Sequence, residues 1–156
     1  MIICTFAGHR EIFECDIERH IEAAIEGILQ KDSAFVFYSG EMGEFDRKCS
    51  AAVRNAKKHH PELDIQLIAV LPYMTSSINT NKDFYERSFD DVIIPTELAN
   101  IHYKATIPKR NKWLVDHCDC LIAYVYHSFG GAYMTMKYAA RHNKMIINIA
   151  NLMKQP

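Results

Sequence analysis

Short apolar runs, each closed by a turn residue and followed by a segment of helical periodicity, recur along the whole chain. This alternation constrains the fold more than any other feature. Residues 2–7 are almost continuously apolar, as expected of a strand covered on both faces. Over residues 16–29, Ile17, Ile21, Ala24, Ile25 and Ile28 mark one face of an amphipathic helix. A second buried strand is predicted over 34–38, stopped by Ser39-Gly40. A helix follows over 44–59, with Phe45, Cys49, Ala52, Val53 and Ala56 on one face and Pro61 as its stop. The third strand covers 65–71. Residues 73–105 read mainly as loop, with a short helix at 82–87 and a short strand at 91–94. A helix at 107–117 with Pro108 in its first turn, a strand at 120–126, a helix at 132–142 and a strand at 145–150 complete the pattern.

Strands alternating with helices imply right-handed crossovers. The expected fold is therefore α/β and Rossmann-like: a doubly wound, mainly parallel sheet with helices on both faces, formed by residues 1–156 as a single domain. In such folds ligands bind beyond the carboxyl ends of the strands, where the strand order switches.

The chain is 49% hydrophobic and 24% charged with a net charge of -1, an ordinary globular balance that does not predict a polyanion-binding surface. Nucleic acid is accordingly not the expected partner. The five cysteines are an odd number, and Met1 leads directly into a strand-like run. Free thiols in a cytoplasmic setting are the economical reading. Cys118 and Cys120 have no second pair at zinc-finger spacing, so no metal is expected, and no cofactor is implied. No apolar run approaches the ~18 residues that cross a bilayer, so no membrane partner is expected.

Three strand-to-helix turns are candidates for chemistry. Gly8-His9-Arg10 combines a glycine that lets backbone approach a ligand with an arginine suited to phosphate or carboxylate, although a tight turn with a solvated Arg reads equally well. Gly40-Glu41-Met42-Gly43 opens a helix whose unpaired N–H groups suit an anion. Glu41, Glu44 and Asp46 would repel a phosphate there; they would instead receive ribose hydroxyls or simply cap the helix. Ser128-Phe129-Gly130-Gly131 has small residues and no acid, which makes it the best phosphate seat of the three, with Ser128 as an added hydroxyl donor. Lys109 and Lys112 read as a solvated helix face, and Trp113 as core.

These motifs in this order resemble the SLOG superfamily: GHR after the first strand, SGxxGxFD after the second, RNxxLVDxCDxLIAY leading into a later strand and SFGGAYxTxxYA following it. The small single-domain YpsA-like branch is the best match, over residues 5–149. The resemblance implies a sensor of a nucleotide or nucleotide-derived ligand, such as ADP-ribose-like molecules, more a binding protein than an enzyme. It carries ligand-binding roles onto Gly8, Arg10, Gly40, Gly43, Asp46, Arg110, Asn111, Gly130 and Gly131. Glu41 and Ser128 join them from the residue reading. The superfamily also includes the Lonely Guy enzymes, which release the base from nucleoside 5'-monophosphates. Their PGGxGTxxE signature is only half present at Phe129 to Met136, with the catalytic Glu replaced. N-glycosidase activity is therefore the alternative, drawing on a carboxylate at 41, 44 or 46. A third relative, DprA, uses this fold on single-stranded DNA. A protein-interaction module with a vestigial cleft is the remaining alternative, and the resemblance also allows a homo-oligomer.

Overall fold

The computed structural model describes residues 1–74 and 76–153. Its centre is a six-stranded, all-parallel sheet. The elements follow one another as β1 (Ile2–Gly8), α1 (Ile17–Leu29), β2 (Ala34–Ser39), α2 (Glu44–His59), β3 (Asp64–Val70), α3 (Ser76–Thr80), α4 (Lys82–Ser88) and β4 (Asp91–Ile93). After a 3-10 turn at Thr96–Leu98 come α5 (Tyr103–Asp116), β5 (Cys120–Tyr124), α6 (Gly131–Arg141), β6 (Met145–Asn148) and α7 (Ile149–Met153). The strand order is β4-β3-β2-β1-β5-β6. The chain winds outward from β1 in one direction, then returns and winds outward in the other. The order therefore reverses between β1 and β5, and that is where such a fold opens a crevice.

The neighbouring strands β1 and β5 are buried on both faces, and their alternation divides the core. Cys4 and Phe6 of β1, with Cys120, Ile122 and Tyr124 of β5, pack with α1, α2 and α7. Ala7 of β1, with Leu121 and Ala123 of β5, packs on the other face against Val115 of α5 and Ala139 of α6. The first face carries large residues such as Phe35, Phe37, Phe45 and Ile21. The second is floored by alanines, which draws α6 close to the sheet and leaves space near its start.

Several boundaries differ from the sequence reading, two of them for a visible local reason. The helix expected from 107 begins at Tyr103, because the His102 side chain accepts a hydrogen bond from the Lys104 N–H at 3.3 Å and so caps it. Pro108 thus lies inside the helix rather than in its first turn, on an exposed face, and lacks the N–H that a helical residue there would donate to the Lys104 carbonyl. The last strand ends at Asn148 rather than continuing to 150. The Asn148 side chain holds both the N–H and the C=O of Val125, at 3.1 and 3.0 Å, and its Oδ1 also accepts from the Ala150 N–H at 3.3 Å. One amide therefore closes the ladder and starts α7. The short helix α3 was not expected from the polar sequence around it.

All five cysteines are free thiols, four of them buried. No helix among the described residues is long and apolar enough to cross a membrane.

Candidate functional site

A pocket of about 690 Å³ lies at the reversal of strand order. The β1–α1 turn contributes Gly8, His9 and Arg10. The β5–α6 turn contributes His127, Phe129, Gly130 and Gly131. Met42 and Asp46 reach it from the β2–α2 side, and Arg110, Asn111 and Leu114 from α5. Thr5 and Ala7 on the sheet, with Ala132 and Thr135 on α6, are small residues bordering the space.

The N-terminus of α6 opens on this pocket. Gly130 has φ 94°, a left-handed value that favours glycine, and no side chain caps the helix. The pocket-lining backbone of Gly130, Gly131 and Ala132 therefore meets the opening with the positive end of the helix dipole. A Cβ on Gly131 would meet nothing within 4 Å, so its surroundings are open. Ser128 is exposed and lies outside the pocket lining. Gly43 repeats the conformation of Gly130, with φ 97°, at the start of α2.

Arg110 is 2% exposed and is turned toward the protein. Its Nη1 donates to the carbonyls of Gly40 and Val70, both at 2.9 Å, and its Nε to Asn111 Oδ1 at 3.1 Å. The guanidinium thus ties the ends of β2 and β3 to α5. Burial lowers its pKa, and the nearby Asp46 partly offsets this. Gly40 makes room for it: a Cβ there would lie 3.1 Å from the guanidinium carbon. Gly8 serves a similar end, because a Cβ would fall 2.4 Å from the Phe45 ring.

The acids separate by environment. Glu41 has φ 50°, and its Oε1 accepts hydrogen bonds from the Ser39 and Ser50 hydroxyls at 3.1 and 2.9 Å. It is held in the loop and does not line the pocket. Glu44 is exposed, 3.7 Å from Lys48. Asp46 alone of the three lines the pocket. Its Oδ2 accepts from the Met42 N–H at 3.1 Å, and burial pushes its pKa up to about 7 against the pull of Met42 and Arg110. Arg10 is exposed at the mouth and has no hydrogen-bond or ion-pair partner among the described residues.

The mouth carries aromatic groups that the motif reading did not single out. His9 and His127 stack with ring centroids 3.6 Å apart, and His127 stacks on Phe129 at 3.8 Å. The His127 backbone N–H donates to His9 Nε2 at 3.4 Å, which makes that nitrogen an acceptor and places the proton of neutral His9 on Nδ1. Burial, then the neighbouring His127, lowers the pKa of His9. His127 Nδ1 is buried with no hydrogen-bond partner among the described residues. The signal available in the sequence was histidine and aromatic residues flanking two of the turn glycines: His9 after Gly8, and His127 and Phe129 before Gly130.

A parallel sheet in the order 4-3-2-1-5-6 with a pocket at its reversal defines a Rossmann-type fold whose pocket lies at the switch point. Solved structures of DNA processing protein A, DprA, share this fold. The Streptococcus pneumoniae protein matches 93% of this chain at a TM-score of 0.65 and 18% identity. The Helicobacter pylori protein, described for its single-stranded DNA binding mode, matches 97% at a TM-score of 0.64 and 16% identity. The chain spans 49% of the first protein and 71% of the second, so it corresponds to about half the length of the pneumococcal one. No protein-family model and no curated protein sequence matches the chain. The likeness agrees with the SLOG resemblance at the level of the fold, without singling out the YpsA-like branch.

One expectation is corrected by this likeness. Nucleic acid was set aside as a partner on the net charge of -1, yet the H. pylori neighbour binds single-stranded DNA. Net charge sums over the whole molecule, whereas a strand is held by a local site.

Proposed function

We propose that this domain binds a nucleotide unit, either as a free nucleotide-derived molecule or as a link of a single strand. The phosphate sits at the N-terminus of α6, with the sugar toward Met42 and Asp46. The supporting observation is the uncapped, Gly130-started end of α6 opening into the pocket at the strand reversal. Arg10, exposed and unpaired at the same mouth, supplies the neutralising charge, while Arg110 shapes the floor through its bonds to Gly40 and Val70.

The test is Gly131→Asp, assayed by calorimetry against AMP, ADP-ribose and a short oligo-dT. The new carboxylate enters open space and favours the helix dipole, so the fold is expected to be retained with α6 stabilised by a few tenths of a kcal/mol. Affinity for every ligand that binds the parent is expected to fall at least tenfold. Unchanged affinity across the panel would remove the phosphate from this turn.

A second reading, N-glycosidase chemistry on a nucleoside phosphate, is favoured by Asp46. A carboxyl group in the pocket with a pKa near 7 is suited to exchanging a proton with a leaving base or an attacking water. This reading expects free base to appear on incubation with nucleoside monophosphates and to vanish in Asp46→Asn. Monophosphates that remain intact after prolonged incubation with the parent would count decisively against it.

A further inference from the structure

We propose that the open face of Phe129 is the stacking surface for the nucleobase of the bound nucleotide unit, an inference that rests on the reading above. Phe129 stands immediately before Gly130 and lines the same pocket. Its ring lies parallel to His127, at an interplanar angle of 7°, and His127 lies nearly parallel to His9, at 24°. The column runs from the core to solvent: His9 is 6% exposed, His127 half-buried and Phe129 68% exposed. With one face on His127 and most of its surface in water, Phe129 offers its other face to the next flat ring.

The base of this column is fixed. The His9 backbone N–H donates to the Tyr124 carbonyl at 3.0 Å, its imidazole Nε2 accepts from the His127 backbone N–H, and its ring meets Tyr126 edge-on at 4.5 Å. An aromatic ring stacked on this support is held in one orientation, which lowers the ordering cost of adding another. The column also adjoins the phosphate seat, since a Cβ on Gly130 would lie 3.9 Å from His127 Cε1. A ligand with an anionic group next to a flat heteroaromatic ring, joined by a short spacer, satisfies both features, and a nucleotide has that composition. Phe13, 71% exposed and edge-on to Tyr126, adds a second exposed ring from the β1–α1 connection. Stacking reads a π-face rather than a hydrogen-bonding edge, so the subsite tolerates any base.

The experiment compares the parent, Phe129→Leu and Phe129→Trp in two ligand pairs by calorimetry. One pair is AMP and ribose 5-phosphate; the other is oligo-dT and an abasic phosphodiester of equal length. The first pair reports a free nucleotide and the second a strand. Phe129→Leu is expected to weaken the base-bearing member of the pair that binds by about tenfold, the range that base–aromatic stacking is worth on substitution. The base-free member should change less than twofold, and Phe129→Trp should bind the base-bearing member at least as well as the parent. Equal effects on both members, or no effect on either, would overturn the stacking proposal while leaving the phosphate seat intact. A parent that binds no member of either pair would overturn both.

Discussion

At the residue scale, the pocket separates groups that share one chemistry. Glu41, Glu44 and Asp46 fall within six positions, yet one is held by two serines, one is solvated and one is buried against the pocket. Asp46 gives a pH signature whose sign follows from its raised pKa. The ordinary aspartate value is 3.8 and the folded value about 7, so folding takes up a proton between those limits. Its contribution is therefore least unfavourable below about pH 4 and declines as the pH rises through 7. Relative to Asp46→Asn, which has no charge to bury, the parent is expected to lose stability progressively across that window, by on the order of 4 kcal/mol at full extent. Urea unfolding from pH 4 to 8 measures this, and parallel curves for the two proteins would refute it. Residue type alone pointed to all three acids, because burial and hydrogen-bond partners are tertiary properties. Arg110 teaches the same lesson: the motif marked it as a ligand group, and its Nη1 is occupied by the carbonyls of Gly40 and Val70, 70 and 40 positions away.

At the element scale, the two faces of β1 do different work. Cys4 and Phe6 build the larger core under α1 and α2, while Ala7 keeps the opposite face shallow near the start of α6. Gly8 ends the strand where Phe45 of α2 crosses it, and the Phe45 Cβ would lie only 2.7 Å from a Cβ on residue 8. Gly8→Ala is expected to destabilise the domain by about 1–3 kcal/mol through overpacking, read from the midpoint of urea unfolding. A midpoint equal to the parent's would mean that α2 does not approach β1 this closely. Four of the glycines thus divide into packing positions, at 8 and 40, and helix starts with positive φ, at 43 and 130. Spacing marked all four as turn residues, but the two uses become distinct only when α2, α5 and α6 are docked.

At the scale of the whole molecule, near-neutral charge and the proposed phosphate seat at α6 predict how a strand would be held. Binding of oligo-dT through one or two phosphates should show a log K against log salt slope of about -0.7 to -1.4 between 50 and 200 mM. A slope near -4 would show instead that a broad basic surface holds the strand. Fold class was legible because periodicity is local: a strand buried on both faces needs a nearly continuous apolar run, a surface helix needs an apolar stripe, and alternating the two leaves few parallel topologies. The sequence by itself thus determined a doubly wound, mainly parallel sheet, most element positions and the sheet edge on which the pocket opens. The tertiary structure alone decided where each polar group points and what it meets. It brought His9, His127 and Phe129, from turns more than a hundred residues apart, into one column, enclosed Asp46 beside the pocket and turned Arg110 toward Gly40 and Val70. The physical reason is range: backbone preference acts over a few residues, whereas desolvation, ring stacking and hydrogen-bond satisfaction depend on neighbours that only the folded chain supplies.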